Sequence, residues 1–407
     1  MILSNYMKII NRLKTFKQYL KHIYPICGYT PHNSKPDKIF IYGFYGAGNL
    51  GDEIILESIL AQLRSIKKYQ FIIISKNPVK IYKDYGITSI NPNFIKILMP
   101  FIKRKTRKGI LLVGGGGIVK DYGNSHKTLK KFFNVINVFL NYNFKTMLYS
   151  AGVENIQYPE SAKIVRTTLN KFDILTVRDS NSKGLLKSLG INKDIFITGD
   201  PAVIKLSNNT SSNVSKIKQP CILISLRHWY EKGYFNSDEN IFERFLLELS
   251  YAINEIIEKY NAKFLFIPFR TEPIDDDRKI LNKVVEKIVN KDNITIIKKC
   301  VTNKTVGKYY DIADITIGMR LHSIILSFSH LIPMIALSYS SKVKDFMNEI
   351  KLDNYCIDIT KVTKSALIHD VDDIIGNYTV IRQDLRCKRT IYIDKLNQNV
   401  NLLNNLL

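Results

Sequence analysis

At 407 residues the chain exceeds the roughly 250 to 300 residues at which one hydrophobic core stops growing, so two domains are expected. Hydrophobic residues make up 45% and charged residues 24%, which excludes a disordered chain and fits a folded globular protein. A net charge of +24 favours an anionic partner, whether nucleic acid, lipid or substrate, without choosing among them.

In chain order, the first segment reads as a helix. Leu3, Tyr6, Ile10, Leu13, Phe16, Leu20 and Ile23 recur at helical spacing among Lys8, Arg12, Lys14, Lys17 and Lys21. Those cations interrupt any secretory apolar core, and no run of about 20 apolar residues is present to cross a bilayer. A basic amphipathic helix of this kind is either a membrane-surface anchor or a helix packed on its own protein. The five cysteines, Cys27, Cys221, Cys300, Cys356 and Cys387, form no C-x-x-C pair and no zinc spacing. They read as buried, reduced thiols of a cytoplasmic protein, and no metal is expected.

From Lys38 onward, apolar runs predict strands over Ile39–Tyr42, Phe71–Ile74, Ile110–Val113, Thr146–Tyr149 and Ile174–Val177, with helical spacing over Glu53–Ile66 and Leu129–Leu140. The polar stretch 207–213 reads as a linker. Strands then resume over Cys221–Leu226, Phe264–Ile267, Ile294–Ile297, Ile315–Ile317 and Pro333–Leu337. The alternation predicts an α/β protein with two doubly wound Rossmann-like domains facing a cleft. Expected boundaries are a basic extension over 1–37, domains over 38–206 and 220–355 joined by a linker over 207–219, and a helical tail over 356–407.

Chemistry concentrates at predicted strand ends, where open α/β sheets place ligands. The first strand enters a glycine-rich loop in which Gly46 to Gly51 is a literal G-x-G-x-x-G. No acidic residue follows at the end of the second strand, where Ser75 and Lys76 stand. Lys76 suits a 2′-phosphate, so a nicotinamide enzyme stays open, although Asn49, Asp52 and Glu53 are unusual in a pyrophosphate loop, where the added negative charge would repel the ligand. Alternatively the glycines admit a hydroxylated acceptor, with Asp52 as its base, or Asp52 and Glu53 only stabilise a helix start. Gly114, Gly115, Gly116 and Gly117 form a second loop leading to Asp121. It lacks the G-K-[ST] of a Walker loop, and either lets a ligand approach or packs a strand tightly on a helix.

Arginines follow several strands. Arg178 stands beside Asp179 and reads as its ion-pair partner; Arg227, Arg270 and Arg320 follow later strands. Arg227 and Arg320, in equivalent places, could hold two anionic groups of one small substrate, and His322, two residues after Arg320, could move a proton near neutral pH. An exposed arginine and a satisfied histidine at a helix start is the plainer reading. Lys96, Lys103, Arg104, Lys105, Arg107 and Lys108 surround an apolar stretch, which reads as a solvated face or a contact for anionic lipid. It lacks the aromatic spacing of a base-stacking surface, so no nucleic acid is expected.

Taken together, Gly43–Gly46 through Asn49–Glu53, Gly114–Gly117 with Asp121, Val177–Asp179, Gly199–Ala202, Leu226–Arg227, Gly318–His322, and Pro333 with Ser338–Val343 resemble the polysaccharide pyruvyl transferase family over roughly residues 38 to 350. The resemblance implies a GT-B-like architecture and transfer of the enolpyruvyl group of phosphoenolpyruvate onto sugar hydroxyls, closing a pyruvate ketal. It implies that Arg227 and Arg320 bind the donor's phosphate and carboxylate, that Leu321 lines its pocket, and that His322 is the acid/base. Asp52 joins His322 as a candidate catalytic group. Gly46, Asn49, Glu53, Gly115, Gly116, Asp121, Arg178, Tyr339 and Lys342 are candidates for acceptor contact or support. Ser340 stands where many members have an acidic residue. No cofactor is implied beyond phosphoenolpyruvate as co-substrate. The expected acceptor is a cell-envelope glycan, lipid-linked at the cytoplasmic membrane face. A GT-B glycosyltransferase using a nucleotide sugar is the competing enzyme reading, and a non-enzymatic binder of nucleic acid or membrane the competing reading of the charge.

Overall fold

A computed structural model describes residues 37–64, 66, 69–121, 125–204, 218–229, 239–272, 275–299 and 301–407. The expected N-terminal basic helix and most of the expected linker lie outside these residues. The described chain divides into two compact units, one up to Pro201 together with Lys395–Leu407 and one over Ala202–Asp394.

The first unit is built on β1 (Asp37–Tyr42), β2 (Tyr69–Ile74), β3 (Ser89–Ile90), β4 (Gly109–Gly114), β5 (Gly117–Val119), β6 (Lys145–Val153), β7 (Ile174–Val177) and β8 (Ile195–Ile197). They lie in the order β3-β2-β1-β4-β6-β7-β8, with β5 beside β6, and every pairing is parallel. A parallel sheet is covered by helices on both faces, so its strands read as unbroken apolar runs; all six residues of β1 are buried. Phe40, Ile72, Ile95, Met99, Leu111 and Phe133 belong to one continuous core. From β1 the chain first adds strands on one side, through β2 and β3, and then crosses to β4 on the other. The loops after β1 and β4 therefore flank a topological switch point.

The second unit contains β9 (Cys221–Ser225), β10 (Lys263–Phe266), β11 (Thr271–Glu272), β12 (Asp275–Asp276), β13 (Ile294–Ile296), β14 (Ile315–Gly318), β15 (Met334–Ser338) and β16 (Cys356–Asp358). Six form a parallel sheet in the order β13-β10-β9-β14-β15-β16. β11 and β12 make a small antiparallel hairpin. Here the switch falls between β9 and β14, the two strands that Arg227 and Arg320 follow.

The expected tail from residue 356 is not wholly helical. Cys356–Asp358 extends the second sheet beside β15, and the helices Lys364–Gly376 and Tyr378–Asn404 follow. Three residues carry too little periodicity to mark a strand, and pairing with β15 supplies what propensity does not. Asn399, fully buried, returns the last helix to the first unit. It accepts from the hydroxyls of Thr176 at 2.7 Å and Thr198 at 3.1 Å and donates to Ser150 at 2.8 Å. Among the described residues the cysteines are less buried than expected: Cys221 and Cys356 are half-buried and Cys387 is exposed, while Cys27 and Cys300 lie outside these residues. Among the described residues no helix is long and apolar enough to cross a membrane.

Candidate functional site

In the first unit, the loop after β1 is shaped by its own side chains. Tyr45 turns under it and donates its hydroxyl to the carbonyl of Gly114, while Ser75 Oγ donates to the Tyr45 carbonyl at 2.8 Å. The buried Glu53 accepts the backbone N–H of Gly46 at 2.8 Å, Lys80 Nζ at 3.3 Å and the Tyr85 hydroxyl at 3.3 Å. Glu53 thus fastens the loop to the helix Leu50–Leu63, an architectural task.

Asp52 has a different setting. Asn49, the residue before that helix, donates Nδ2 to Asp52 Oδ2 at 2.6 Å. The other oxygen faces Gly116, where an added Cβ would lie 2.7 Å from Oδ1 at a backbone φ of +77° for Gly115 and +75° for Gly116. The Asp52 side chain is half-buried. Loss of water raises its pKa to about 7, against the pull of the Asn49 hydrogen bond and the Lys120 charge. A carboxyl poised near neutrality at a switch-point loop has the property required of a general base.

The other candidates in this unit have structural partners. Asp121 accepts the N–H groups of Gln157 at 2.7 Å and Tyr158 at 3.2 Å and the hydroxyl of Ser161 at 2.5 Å, tying the start of the helix Pro159–Leu169. Arg178 is buried, lies against Gly152, and pairs with Asp179 at 3.0 Å and Asp200 at 3.5 Å. Burial opposes its charge, yet the two carboxylates outweigh burial and hold it protonated.

In the second unit the arginines converge. Arg227, buried beyond β9, donates Nη1 to the Tyr339 hydroxyl at 2.9 Å and approaches Asp275 Oδ2 with Nη2 at 3.5 Å. Its guanidinium also lies 5.3 Å from the Tyr339 ring centre. Arg320 precedes the helix Leu321–Ser329 in extended conformation. It gives Nε to Asp277 at 3.0 Å, and Nη2 both to Asp277 and, at 3.3 Å, to Asp275. Arg270 adds Nη1 to Asp275 at 2.9 Å. Two buried acids therefore gather three guanidinium groups at the switch point. Leu321 is buried and His322 half-buried in the first turn of that helix. Lys342 Nζ stands 6.0 Å from the Tyr339 ring. Burial favours the neutral Tyr339 phenol, but Lys342, Arg227 and Arg320 outweigh it and depress its pKa. His228 and Trp229 pack on Phe242, with ring centres 5.4 and 5.5 Å away.

Sequence reasoning singled out the arginines and missed Asp275 and Asp277. Their signal was the run Asp275-Asp276-Asp277, five residues after Arg270, in a chain poor in acids. Asp200 entered only as part of the Gly199–Ala202 resemblance, and its fully buried pairing with Arg178 was not foreseen.

A family model described as Polysaccharide pyruvyl transferase matches residues 49–341. The amylovoran biosynthesis protein AmsJ of Erwinia amylovora is 26% identical over 110 residues, 27% of this chain and 26% of that protein, so the match spans about a quarter of the relative's length. Among solved structures, a glycosyltransferase from Rickettsia africae ESF-5 superposes with a TM-score of 0.58 at 16% identity, covering 92% of this chain and 97% of that one. The UDP-GlcNAc 2-epimerase from Methanocaldococcus jannaschii gives 0.55 at 15% identity, covering 82% and 91%. At such identities the likeness is one of fold, which is GT-B-like. The matched stretch runs from Asn49 through Arg227, Arg320 and His322 to Ser341, and the chain belongs to the polysaccharide pyruvyl transferase family.

Proposed function

We propose that the chain transfers the enolpyruvyl group of phosphoenolpyruvate to hydroxyls of a cell-envelope or exopolysaccharide glycan, lipid-linked in the cytoplasm, closing a pyruvate ketal and releasing phosphate. The observation that carries this reading is the meeting of Arg227 and Arg320 on Asp275, with His322 in the adjoining helical turn. Two fixed guanidinium forks suit a small donor bearing both a phosphate and a carboxylate.

In this scheme His322 protonates the donor's methylene carbon, making an oxocarbenium-like centre at the carbon that bears the phosphate oxygen. A sugar hydroxyl adds there and gives up its proton to a general base, a role for which Asp52 is the candidate among the first unit's residues, its pKa being about 7. A second hydroxyl then forms the other C–O bond as the carbon–phosphate oxygen bond breaks, passing its proton to the His322 imidazole, left neutral by the first step. Phosphate departs with the electron pair, its charge held by Arg227 and Arg320. General acid–base participation of this kind contributes roughly a hundredfold to ten-thousandfold in rate.

Release of phosphate from phosphoenolpyruvate in the presence of lipid-linked envelope oligosaccharides is the test, with Arg320→Ala as the control. Binding of a nucleotide sugar with no response to phosphoenolpyruvate would transfer support to glycosyl transfer.

A further inference from the structure

The helix Ile95–Arg104 is apolar on two sides. Ile95, Met99 and Ile102, at helical spacing, are fully buried in the core of the first unit. Its opposite side is expected to be polar. Instead Ile97 is 68% and Phe101 57% exposed, one turn apart, with Pro100 exposed between them. Lys96, Lys103 and Arg104 stand exposed around them. The helix contains no acidic residue, and none of these three cations is paired with a carboxylate among the described residues. Apolar side chains held in water inside a ring of unneutralised cations are costly unless something apolar and anionic covers them.

We propose that this face rests on an anionic lipid bilayer, with Ile97, Pro100 and Phe101 entering the headgroup boundary and Lys96, Lys103 and Arg104 lying against lipid phosphates. Charge complementarity selects this occupant. A second copy of the chain, meeting the same face symmetrically, would set its cations against these. A nucleic acid would satisfy the cations but gain little from one aliphatic side chain and one ring. The inference rests on this surface alone and does not depend on pyruvyl transfer.

The test is co-sedimentation of the full chain with phosphatidylcholine vesicles, with and without phosphatidylglycerol. Binding is expected only with phosphatidylglycerol and should weaken as salt is raised. Ile97→Ser with Phe101→Ser should lower partitioning about tenfold or more, and Lys103→Glu with Arg104→Glu about as much. The melting temperature should stay put in the serine variant, whose side chains are exposed, and fall by a few degrees at most in the glutamate variant, which gives up the Lys103 ammonium 5.0 Å from the Phe144 ring centre. Four results overturn the proposal: no binding, binding indifferent to lipid charge, variants that bind like the parent, or loss of self-association in the serine variant with vesicle binding intact. Phosphate release with a water-soluble acceptor should be unaltered in both variants, so this test and that of the enzyme reading can fail separately.

Discussion

Arg320 gives Nε to one oxygen of Asp277, at 3.0 Å, and Nη2 to the other, while the acid itself is fully buried. This paired contact fixes the plane of the guanidinium as well as its position. Phe269 and Arg270 fix the acid in turn, each donating its backbone N–H to the same Asp277 oxygen at 3.0 Å. The arginine is thereby oriented before any substrate arrives, which lowers the ordering cost of binding.

Asp277→Ala should strand Arg320 and the two backbone donors. A loss of about 3 kcal/mol in stability is expected, read from denaturant midpoints. Arg320→Lys keeps the charge and loses the fork. It should raise KM for phosphoenolpyruvate with a much smaller stability change, seen by comparing steady-state kinetics with a melt.

Asp52 sets a pH dependence. A base must be deprotonated to act, so kcat/KM should climb as pH rises through about 7, and Asp52→Asn should give a low, flat profile over the same range. Stability should move the opposite way. The folded state keeps this proton after the unfolded chain, with its ordinary carboxyl, has lost it, so stability falls as pH rises from about 4 to about 7. Unfolding midpoints across that window should lose part of their slope in Asp52→Asn.

Gly116→Ala places a methyl group 2.7 Å from Asp52 Oδ1 at a φ of +75°. The left-handed backbone alone costs about 1 to 2 kcal/mol. Displacement of Asp52 should reduce kcat well beyond what that loss of stability explains, as activity measured well below the melting temperature would reveal.

Arg178→Ala should behave as a folding mutant. It leaves Asp179 and the fully buried Asp200 facing each other without their cation, at a cost of about 3 to 5 kcal/mol. A stable Arg178→Ala protein with a raised KM for acceptor would instead assign Arg178 to substrate.

The long buried strands were legible because a strand covered on both faces leaves an apolar run: Ile174–Val177 was expected with the bounds it has. β3, β5, β8, β11, β12 and β16 escaped notice, having two or three residues each, too few for periodicity to register; β13, equally short, was read only because Ile294, Ile296 and Ile297 mark it with β-branched residues. At the site, Arg227 and Arg320 could be read from their places after strands. Their dependence on Asp275 and Asp277 could not, since strand order in space, which sets β9 beside β14, decides which charges meet. Likewise nothing local marks Glu53 as the anchor of Gly46 and leaves Asp52 next to it facing the Gly116 loop.

Asn399 gives the first unit a late delivery. Ser150, Thr176 and Thr198 belong to strands and loops made early in synthesis, yet the amide that satisfies them emerges roughly two hundred residues afterwards. On the ribosome, that half of the molecule holds these hydroxyls only by their earlier bonds, Ser150 with Thr198 at 2.9 Å and Thr176 with the Leu148 carbonyl at 3.0 Å, until translation has passed Asn399. A product released prematurely, anywhere before the final helical turns, would lack the buried amide that ties the three together and would present a looser interior to quality-control proteases.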